Sequence, residues 1–231
     1  MLKKNKKTKT RAQPFQYLVV LDFEATCDDK NFGPQEIIEW PAVIIDTTTM
    51  EMITSPVIES AEKKDDGLNK TKENSVPDEF HYYIKPKVNP VLTKFCTELT
   101  GITQDTVNKG TDIETVISKW NTFVSEHKLT SKNACVITCG DWDLKKMWPI
   151  QKRLLKNQTD PLLFQRWINL KLIFAKFFQC KPKDMVGMLN FLNLKLLGRH
   201  HSGIDDVRNI ARIVQFLLKS GATFYCTSVG G

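Results

Sequence analysis

Short apolar runs in the first half of the chain predict β-strands. Residues 17–22 (YLVVLD) form a nearly continuous apolar run, which is the pattern of a strand buried on both faces. Residues 36–46 and 80–84 are rich in β-branched and aromatic side chains and predict two further strands. A fourth short strand is expected over residues 134–138, directly before an acidic segment.

Helical periodicity dominates the second half. The clearest helix begins near Ile204, because apolar residues recur at 3.6-residue spacing from there to Leu218. Asp205 and Asp206 then fall in its first turn. Weaker patterns predict helices at about 90–99, 112–127, 143–156, 170–178 and 185–192. Strands first, followed by helices interleaved with a strand, predict an α/β fold with a mixed central sheet flanked by helices.

One domain with appendages is expected, since 231 residues suffice for a single core. The domain is predicted to cover residues 15–221, between a basic flexible tail at 1–14 and a C-terminal tail at 222–231. Residues 59–79 hold almost no large apolar side chain. Such a segment cannot offset the entropy lost on ordering, so it predicts a flexible insertion.

The net charge of +7 is concentrated at the start of the chain. Residues 1–11 contain six Lys and Arg residues and no acid. This run fits either a nucleic-acid-binding arm or nuclear localisation signal, or a solvated tail. It has no apolar segment behind it that would make a secretory signal. No apolar run approaches the roughly 20 residues of a membrane span, so we expect no membrane association and a location in the cytoplasm, the nucleus or both. The six cysteines contain no CxxC pair, which favours reduced thiols.

Two carboxylates stand at the end of the first predicted strand. Asp22 and Glu24 are two positions apart, so both side chains project from one face while Phe23 points the opposite way into packing. Concentrated acids are unfavourable unless a divalent cation compensates them, and carboxylate oxygens suit Mg²⁺ or Mn²⁺. The pair alone fits an acidic turn after a buried strand at least as well.

Two later segments carry further candidates. Asp143 lies where a predicted strand runs into a helix, a position that a carboxylate also takes as a plain helix cap. The segment GRHHSGIDD (198–206) brings histidine to the acidic start of the last helix, and histidine is suited to accept a proton near neutral pH. Solvated histidines and acids that simply favour a helix start are the alternative. Two histidines and two aspartates leave the register open from physical reasoning alone.

The order of these motifs resembles the DEDDh exonuclease superfamily, whose fold is RNase H-like. The shared pattern is Asp-x-Glu, then Asp, then His-x4-Asp. Longer segments look like the enhanced-RNA-interference exoribonuclease family, which includes the histone mRNA 3′-end exonuclease and the prion-interactor-type exonuclease. These segments are LDFEATC (21–27), TCGDWDL (138–144), WINL (167–170) and HSGIDDVRNIA (201–211). The resemblance is stronger to the prion-interactor type and covers residues 15 to 220 approximately.

The resemblance implies a role for each matching residue. His201 would be the general base, and the five-residue step from His201 to Asp206 sets the register, whereas His200 stands where such sequences usually have proline. Glu24 would belong to the catalytic set as well as to the metal ligands. The acids that would hold two Mg²⁺ ions, with Mn²⁺ as a substitute, are Asp22, Glu24, Asp143 and Asp206.

A further segment, FCTELTGI (95–102), is similar to the part of the family that cradles the nucleotide. By this resemblance Leu99 and Thr100 would line the terminal base and sugar. Ala25 would lend a backbone contact, and His201 would also touch the nucleotide. Leu99 fits core packing equally well.

The implied function is that of a metal-dependent 3′-to-5′ exoribonuclease that releases nucleoside 5′-monophosphates from single-stranded RNA 3′ ends by two-metal hydrolysis. The RNA preference follows from the resemblance alone. A DEDDh deoxyribonuclease would keep the same residues, and a catalytically idle RNA-binding adaptor is an alternative from another class. Intact acids argue against an adaptor, because an acid cluster is costly to keep. A monomer is expected, with substrate targeting by the tail, the insertion or a protein partner.

Overall fold

The central element is one mixed sheet. The computed structural model describes residues 12–28, 33–53, 79–155 and 159–230. The strands in these ranges are β1 (Tyr17–Leu21), β2 (Glu24–Ala25), β3 (Ile37–Asp46), β4 (Glu51–Met52), β5 (Glu79–Tyr83), β6 (Ala134–Thr138), β7 (Arg166–Asn169) and β8 (Ser228–Val229). The α-helices are α1 (Lys94–Thr100), α2 (Gln104–Asn108), α3 (Ile113–Glu126), α4 (Trp148–Leu154), α5 (Leu170–Phe178), α6 (Met185–Phe191) and α7 (Gly203–Lys219). A π-helical segment, Trp142–Met147, runs directly into α4.

The strand order places the ends of β1 and β6 side by side. β1 pairs in parallel with β6, and β6 pairs in parallel with β7. On its other side β1 pairs antiparallel with β3, which also pairs with β2, β4 and β5. The carboxyl ends of neighbouring parallel strands lie at the same edge of the sheet, so the segments that follow them begin there. The segments that follow β1 and β6, which carry Asp22 and Asp143, therefore lie next to each other.

Helices cover both faces of the sheet. In β1, Val19 and Leu21 belong to the core that includes α3 and α4, whereas Leu18 and Val20 belong to the core that includes α5, α6 and α7. All four side chains are fully buried. This alternation confirms the prediction of a strand buried on both faces and gives a three-layer α/β/α arrangement, as the predicted mixed sheet flanked by helices requires.

The predicted helices and strands are largely present, with differences at their ends. The first helix begins at Lys94 rather than near residue 90, because the Thr93 Oγ1 caps it by accepting the Cys96 N–H at 3.0 Å. The helix expected from 143 is split into the π-helical segment and α4. Elements that the sequence reading did not predict as such are β2, β4, β7, β8 and α2.

The predicted domain limits differ from the folded region at both ends. Gln13, placed in the N-terminal tail, donates from Nε2 to the Ala222 carbonyl at 2.8 Å and accepts the Phe224 N–H at 3.0 Å. Phe224, placed in the C-terminal tail, is fully buried, and β8 pairs with β7. The expected tail at 222–231 is therefore part of the folded domain over its described residues.

Two other predicted features fall mostly outside the described residues. The basic tail lies there from residue 1 to 11, and so does the predicted insertion except for Glu79, which is the first residue of β5. The six cysteines are free thiols, as expected. Within the described ranges no helix combines the length and apolar character needed to cross a membrane.

Candidate active site

Asp22 and Glu24 meet at the edge of the sheet where β1 ends. Asp22 follows β1 directly, and Glu24 opens β2. Phe23 between them faces the opposite way and packs edge-on against Trp40, with ring centroids 5.1 Å apart. Ligand oxygens of Asp22, Glu24 and Asp206 all lie within 4.8 Å of one another. Asp22 and Glu24 share a face because they are two positions apart, and the fold brings Asp206 to them from the last helix.

Asp143 comes from the segment that follows β6. It is 3% exposed and lies inside the π-helical segment, one residue after its start, so the interpretation as a plain helix cap is wrong. Its Oδ1 accepts the backbone N–H of Phe23 at 2.8 Å. This bond joins the end of β1 to the segment after β6 and fixes Asp143 beside Asp22, although it lies outside the 4.8 Å group of three acids.

The loop before α7 brings His201 to the same edge. The backbone N–H of His201 donates to Asp206 Oδ2 at 2.9 Å. His201 has φ 65°, a left-handed conformation that is uncommon for a residue other than glycine. Its ring stacks on that of His200, with centroids 3.9 Å apart, and both rings place a nitrogen within 4.8 Å of an Asp206 oxygen. The backbone hydrogen bond to Asp206 is made by His201. The distances from the rings to Asp206 do not distinguish His201 from His200, because both rings lie close to it.

Burial makes Asp22 and Glu24 weak acids. It raises the pKa of Glu24 to about 9, and the neighbouring carboxylates of Glu39 and Asp206 raise it further in the same direction. Burial also raises the pKa of Asp22 well above its ordinary value, reinforced first by Asp143. No cationic side chain is among the groups that shift the pKa of either acid. The groups that shift these two pKa values all disfavour the charged carboxylates.

The other two acids are less perturbed because backbone donors support them. Burial raises the pKa of Asp143 to about 6, opposed by the hydrogen bond from the Phe23 N–H and by the charge of Lys171. Burial raises the pKa of Asp206 to about 6 as well, opposed by the hydrogen bond from the His201 N–H. Both carboxyls are therefore largely ionised at neutral pH.

The residues present fit a divalent cation. Asp206 Oδ1 is buried and has no hydrogen-bond partner among the described residues. A buried carboxylate oxygen without a partner is costly unless something else neutralises it. Because the converging ligands of Asp22, Glu24 and Asp206 are all carboxylate oxygens, they suit hard ions such as Mg²⁺ or Mn²⁺.

Three of the four predicted nucleotide-contacting residues lie in β2, directly after Glu24, and in α1. Ala25 is buried in β2, and its carbonyl accepts the Cys96 thiol at 3.7 Å. Leu99 is partly exposed and belongs to none of the hydrophobic core clusters of the described residues, so the core-packing alternative for it is wrong. The Thr100 hydroxyl is buried and donates to the Cys96 carbonyl at 2.9 Å.

Sequence reasoning missed Glu39, which connects β3 to the start of α7 beside the site. Glu39 is 1% exposed in β3, opposite Glu24 in the β2–β3 register. Its carboxylate accepts His81 Nε2 at 2.7 Å and the backbone N–H groups of Gly203 at 3.1 Å and Ile204 at 3.3 Å. The signal was a charged residue inside an otherwise apolar strand, which requires buried partners.

Arg199 was also missed, although it lies in a quoted motif. Its guanidinium donates to the carbonyl oxygens of Glu98 and Leu99. Its backbone N–H donates to Asp205 Oδ2 at 2.9 Å. Arg199 therefore joins the predicted nucleotide segment to the loop that carries His201, a contact between distant parts of the sequence that spacing does not show.

Comparison with known proteins identifies the family. The model of the exonuclease family RNase_T matches residues 19–214, a span that holds all four acids and His201. The chain belongs to this exonuclease family. ERI1 exoribonuclease 3 of Homo sapiens is 39% identical over 219 residues, which are 94% of this chain and 58% of the human protein. The chain thus spans little more than half the length of that relative.

Solved exonuclease structures share the fold of this family member. The nuclease domain of 3'hExo, a DEDDh family member bound to rAMP, matches with a TM-score of 0.77 at 31% identity and covers 94% of this chain and 100% of that one. A structure of 3'-end specific recognition of histone mRNA stem-loop by 3'-exonuclease matches with a TM-score of 0.79 at 29% identity, covering 94% and 88%. The predicted RNase H-like DEDDh fold and the resemblance to this exoribonuclease family are therefore confirmed.

Proposed function

We propose that this exonuclease-family chain is a metal-dependent 3′-to-5′ exoribonuclease that releases nucleoside 5′-monophosphates from single-stranded RNA 3′ ends. The observation that carries the proposal is the convergence of Asp22, Glu24 and Asp206 within 4.8 Å, beside Asp143. Four acids from three separate segments, three of them buried and Asp22 partly exposed, have no structural need to meet at one point. A phosphodiester hydrolase does need them, because charge develops on the phosphoryl oxygens during the reaction.

The four acids would hold two Mg²⁺ ions, with Mn²⁺ able to substitute. The fit rests on the all-oxygen ligands and on the unpartnered Asp206 Oδ1. Bound ions of this kind neutralise the carboxylates and stabilise the charge that develops on the transferring phosphoryl group. Glu24, whose pKa burial raises to about 9, is also assigned to the catalytic set.

His201 would act as the general base. It lies on an exposed loop whose backbone is anchored to Asp206, so its ring can approach a water beside the scissile phosphate. Burial and the positive charges of His200 and Arg199 lower the pKa of His201 below its ordinary value. The neutral imidazole is then the main form near pH 7, and it is the form that accepts a proton.

The terminal nucleotide would lie between Ala25, Leu99, Thr100 and His201. The partly exposed Leu99 side chain would contact the base or sugar, and the Ala25 backbone would contact the nucleotide. One of the similar solved structures shows recognition of a histone mRNA stem-loop, and another contains bound rAMP. These neighbours support RNA as the substrate class here.

The remaining assignments complete the proposal. The enzyme would be a monomer in the cytoplasm, the nucleus or both, and would receive its substrates through the basic tail, the predicted insertion or a protein partner. Residues 15–221 hold the proposed catalytic machinery, with the residues after 221 closing the sheet through β8.

The proposal is tested with 5′-labelled single-stranded RNA and a DNA strand of the same sequence, each with a 3′ hydroxyl or a 3′ phosphate. The expected result is a ladder that shortens from the 3′ end, requires Mg²⁺, is faster on RNA and is blocked by the 3′ phosphate. The matched control is Asp22→Asn, which should give no ladder.

The other outcomes discriminate between the alternatives. Faster shortening of DNA would favour the deoxyribonuclease. RNA binding without cleavage of either strand by the wild-type protein would favour the idle adaptor. Rapid loss of the 3′-phosphorylated RNA would contradict recognition of the terminal hydroxyl.

A further inference from the structure

Positive charge is concentrated in one segment beside the site. Residues 170–199 contain six Lys and Arg residues and a single acid, Asp184, which gives the segment a net charge of +5. The first eleven residues carry six cations and no acid, and the whole chain carries +7, so the remainder of the chain is net negative. The six cations, here called the basic face, are Lys171, Lys176, Lys181, Lys183, Lys195 and Arg199.

The cations of the basic face lack acidic partners. Among the described residues, no carboxylate oxygen lies within 4.0 Å of a charged side-chain nitrogen of these six, so none forms an ion pair there. Several lysines elsewhere on the surface are paired, such as Lys87 with Glu114 at 2.7 Å and Lys219 with Glu51 at 2.7 Å. Cations without acidic partners remain available to the phosphates of an external polyanion.

One end of the basic face borders the acid cluster, and the other borders the predicted nucleotide segment. At one end the Nζ of Lys171 lies 3.5 Å from the position that a Cβ on Gly140 would take, and its charge lowers the pKa of Asp143. At the other end Arg199 contacts the carbonyl of Leu99, the predicted nucleotide neighbour. The basic face is therefore continuous with the site where the terminal nucleotide is proposed to lie.

Exposed apolar groups lie among these cations. Phe191 is 47% exposed, and the Nζ of Lys183 lies 5.7 Å from its ring centroid. Phe178 supports the same ring at 4.8 Å, and Leu197 is 55% exposed in the loop that leads to His201. Cations next to an exposed ring are the combination that binds single strands without sequence preference, through phosphate contacts and base stacking.

We propose that the basic face binds the stretch of single-stranded RNA that lies on the 5′ side of the nucleotide held in the active site. This inference rests on the proposed exoribonuclease function and adds the path that the rest of the substrate takes. Lysines would contact successive phosphates, and Phe191 would stack with a base. Because these contacts carry no sequence information, the path suits an enzyme that shortens an RNA one residue at a time.

The test compares a long substrate with a short one. The substrates are an unstructured 20-nucleotide RNA and a dinucleotide, which is too short to leave the active site. The variant combines Lys181→Ala, Lys183→Ala and Lys195→Ala, all outside the proposed catalytic and nucleotide-binding residues. The matched control combines Lys85→Ala, Lys119→Ala and Lys132→Ala, three exposed lysines that form no ion pair among the described residues.

The basic-face variant should raise KM for the 20-nucleotide RNA about tenfold or more at 0.1 M salt and leave kcat/KM for the dinucleotide within about twofold of wild type. Its dependence of log KM on log salt should be shallower by about 2, since each phosphate contact to a single strand contributes about 0.7. The matched control should behave as wild type. Phe191→Ala alone should raise KM for the long RNA by about fivefold or more.

An unchanged KM for the 20-nucleotide RNA would overturn the inference, and so would an equal loss on the dinucleotide, which would place the lysines in the active site itself. In both cases the wild-type activity would leave the proposed function intact. A wild-type protein that cleaves neither RNA would overturn the proposed function and this inference with it.

Discussion

The carboxylate of Glu39 accepts the backbone N–H of Gly203 at 3.1 Å, and this bond joins the two halves of the active site. Glu39 stands opposite Glu24 in the sheet, and Gly203 is the first residue of the helix that carries Asp206. A Cβ added at Gly203 would come within 2.9 Å of the same carboxylate. The sheet and the helix can therefore meet this closely only with glycine at this position.

Glu39→Ala should destabilise the protein and lower kcat. It leaves the buried N–H groups of Gly203 and Ile204 without an acceptor, which costs about 1–3 kcal/mol for each group. Urea unfolding should give a loss of about 2–6 kcal/mol, with Glu39→Gln intermediate because it keeps one acceptor oxygen. Wild-type stability in Glu39→Ala would contradict this bracing role.

Gly203→Ala should also be destabilising, by about 1–3 kcal/mol, because the added methyl group overpacks the contact with Glu39. Gly33→Ala is the matched control, since its added Cβ would have its nearest neighbours at 3.9 Å. Thermal unfolding of the two variants measures the difference. Equal melting temperatures would show that the contact can relax.

Asp206→Asn should separate stability from activity. Loss of a metal-holding carboxylate removes several kcal/mol of transition-state stabilisation, which corresponds to about a thousandfold in kcat/KM. The metal-free protein should be more stable than wild type at pH 8 by about 1–3 kcal/mol, because the raised pKa of Asp206 means that its ionised form is unfavourable in the fold. Asp205→Asn is the control and should keep activity within about tenfold. A variant that is both active and no more stable would contradict the assignment.

Stabilisation by Mg²⁺ should grow with pH. Burial raises the pKa of Glu24 to about 9 and those of Asp143 and Asp206 to about 6. Raised carboxyl pKa values make the metal-free fold lose stability as pH rises from the unfolded values toward 9, and ions bind only the deprotonated groups. The increase in melting temperature with Mg²⁺ should therefore be larger at pH 8.5 than at pH 6. A shift that does not depend on pH would argue against binding at these acids.

His201 and His200 can be separated by substitution. His201→Ala should lower kcat by about 10²–10⁴, the usual contribution of a general base, whereas His200→Ala should remain within about tenfold of wild type. In the wild type, kcat should rise with pH as the imidazole becomes neutral, with a midpoint below the ordinary value of 6.5, because the pKa of His201 is lowered. A pH–rate profile of each variant measures this. The reverse order of losses would make His200 the base.

The local part of the site could be predicted from the sequence. The spacing of Asp22 and Glu24 fixes their common face, and the 3.6-residue pattern fixes Asp206 in the first turn of the last helix. Both features depend only on geometry within a few residues. The strand at 17–22 was recognised because its apolar run is continuous on both faces.

The hydrogen bond between Glu39 and Gly203 could not be predicted in this way. Glu39 and Gly203 are 164 residues apart, and only the fold brings them together. The last strand was missed because Ser228–Val229 has little strand character of its own and is stabilised by pairing with β7. Asp143 looked like a helix cap because the π-helical segment that encloses it has no separate sequence pattern.

The most direct test of the central claim is the identity of the product released from a 3′-labelled RNA. With Mg²⁺, the wild-type protein should release the label as a nucleoside 5′-monophosphate in the first cleavage. Release should stop with EDTA and should slow by about a hundredfold or more in both Asp206→Asn and His201→Ala. Release of the label as a longer oligonucleotide, as a nucleoside 3′-phosphate, or at an undiminished rate in EDTA would contradict the account.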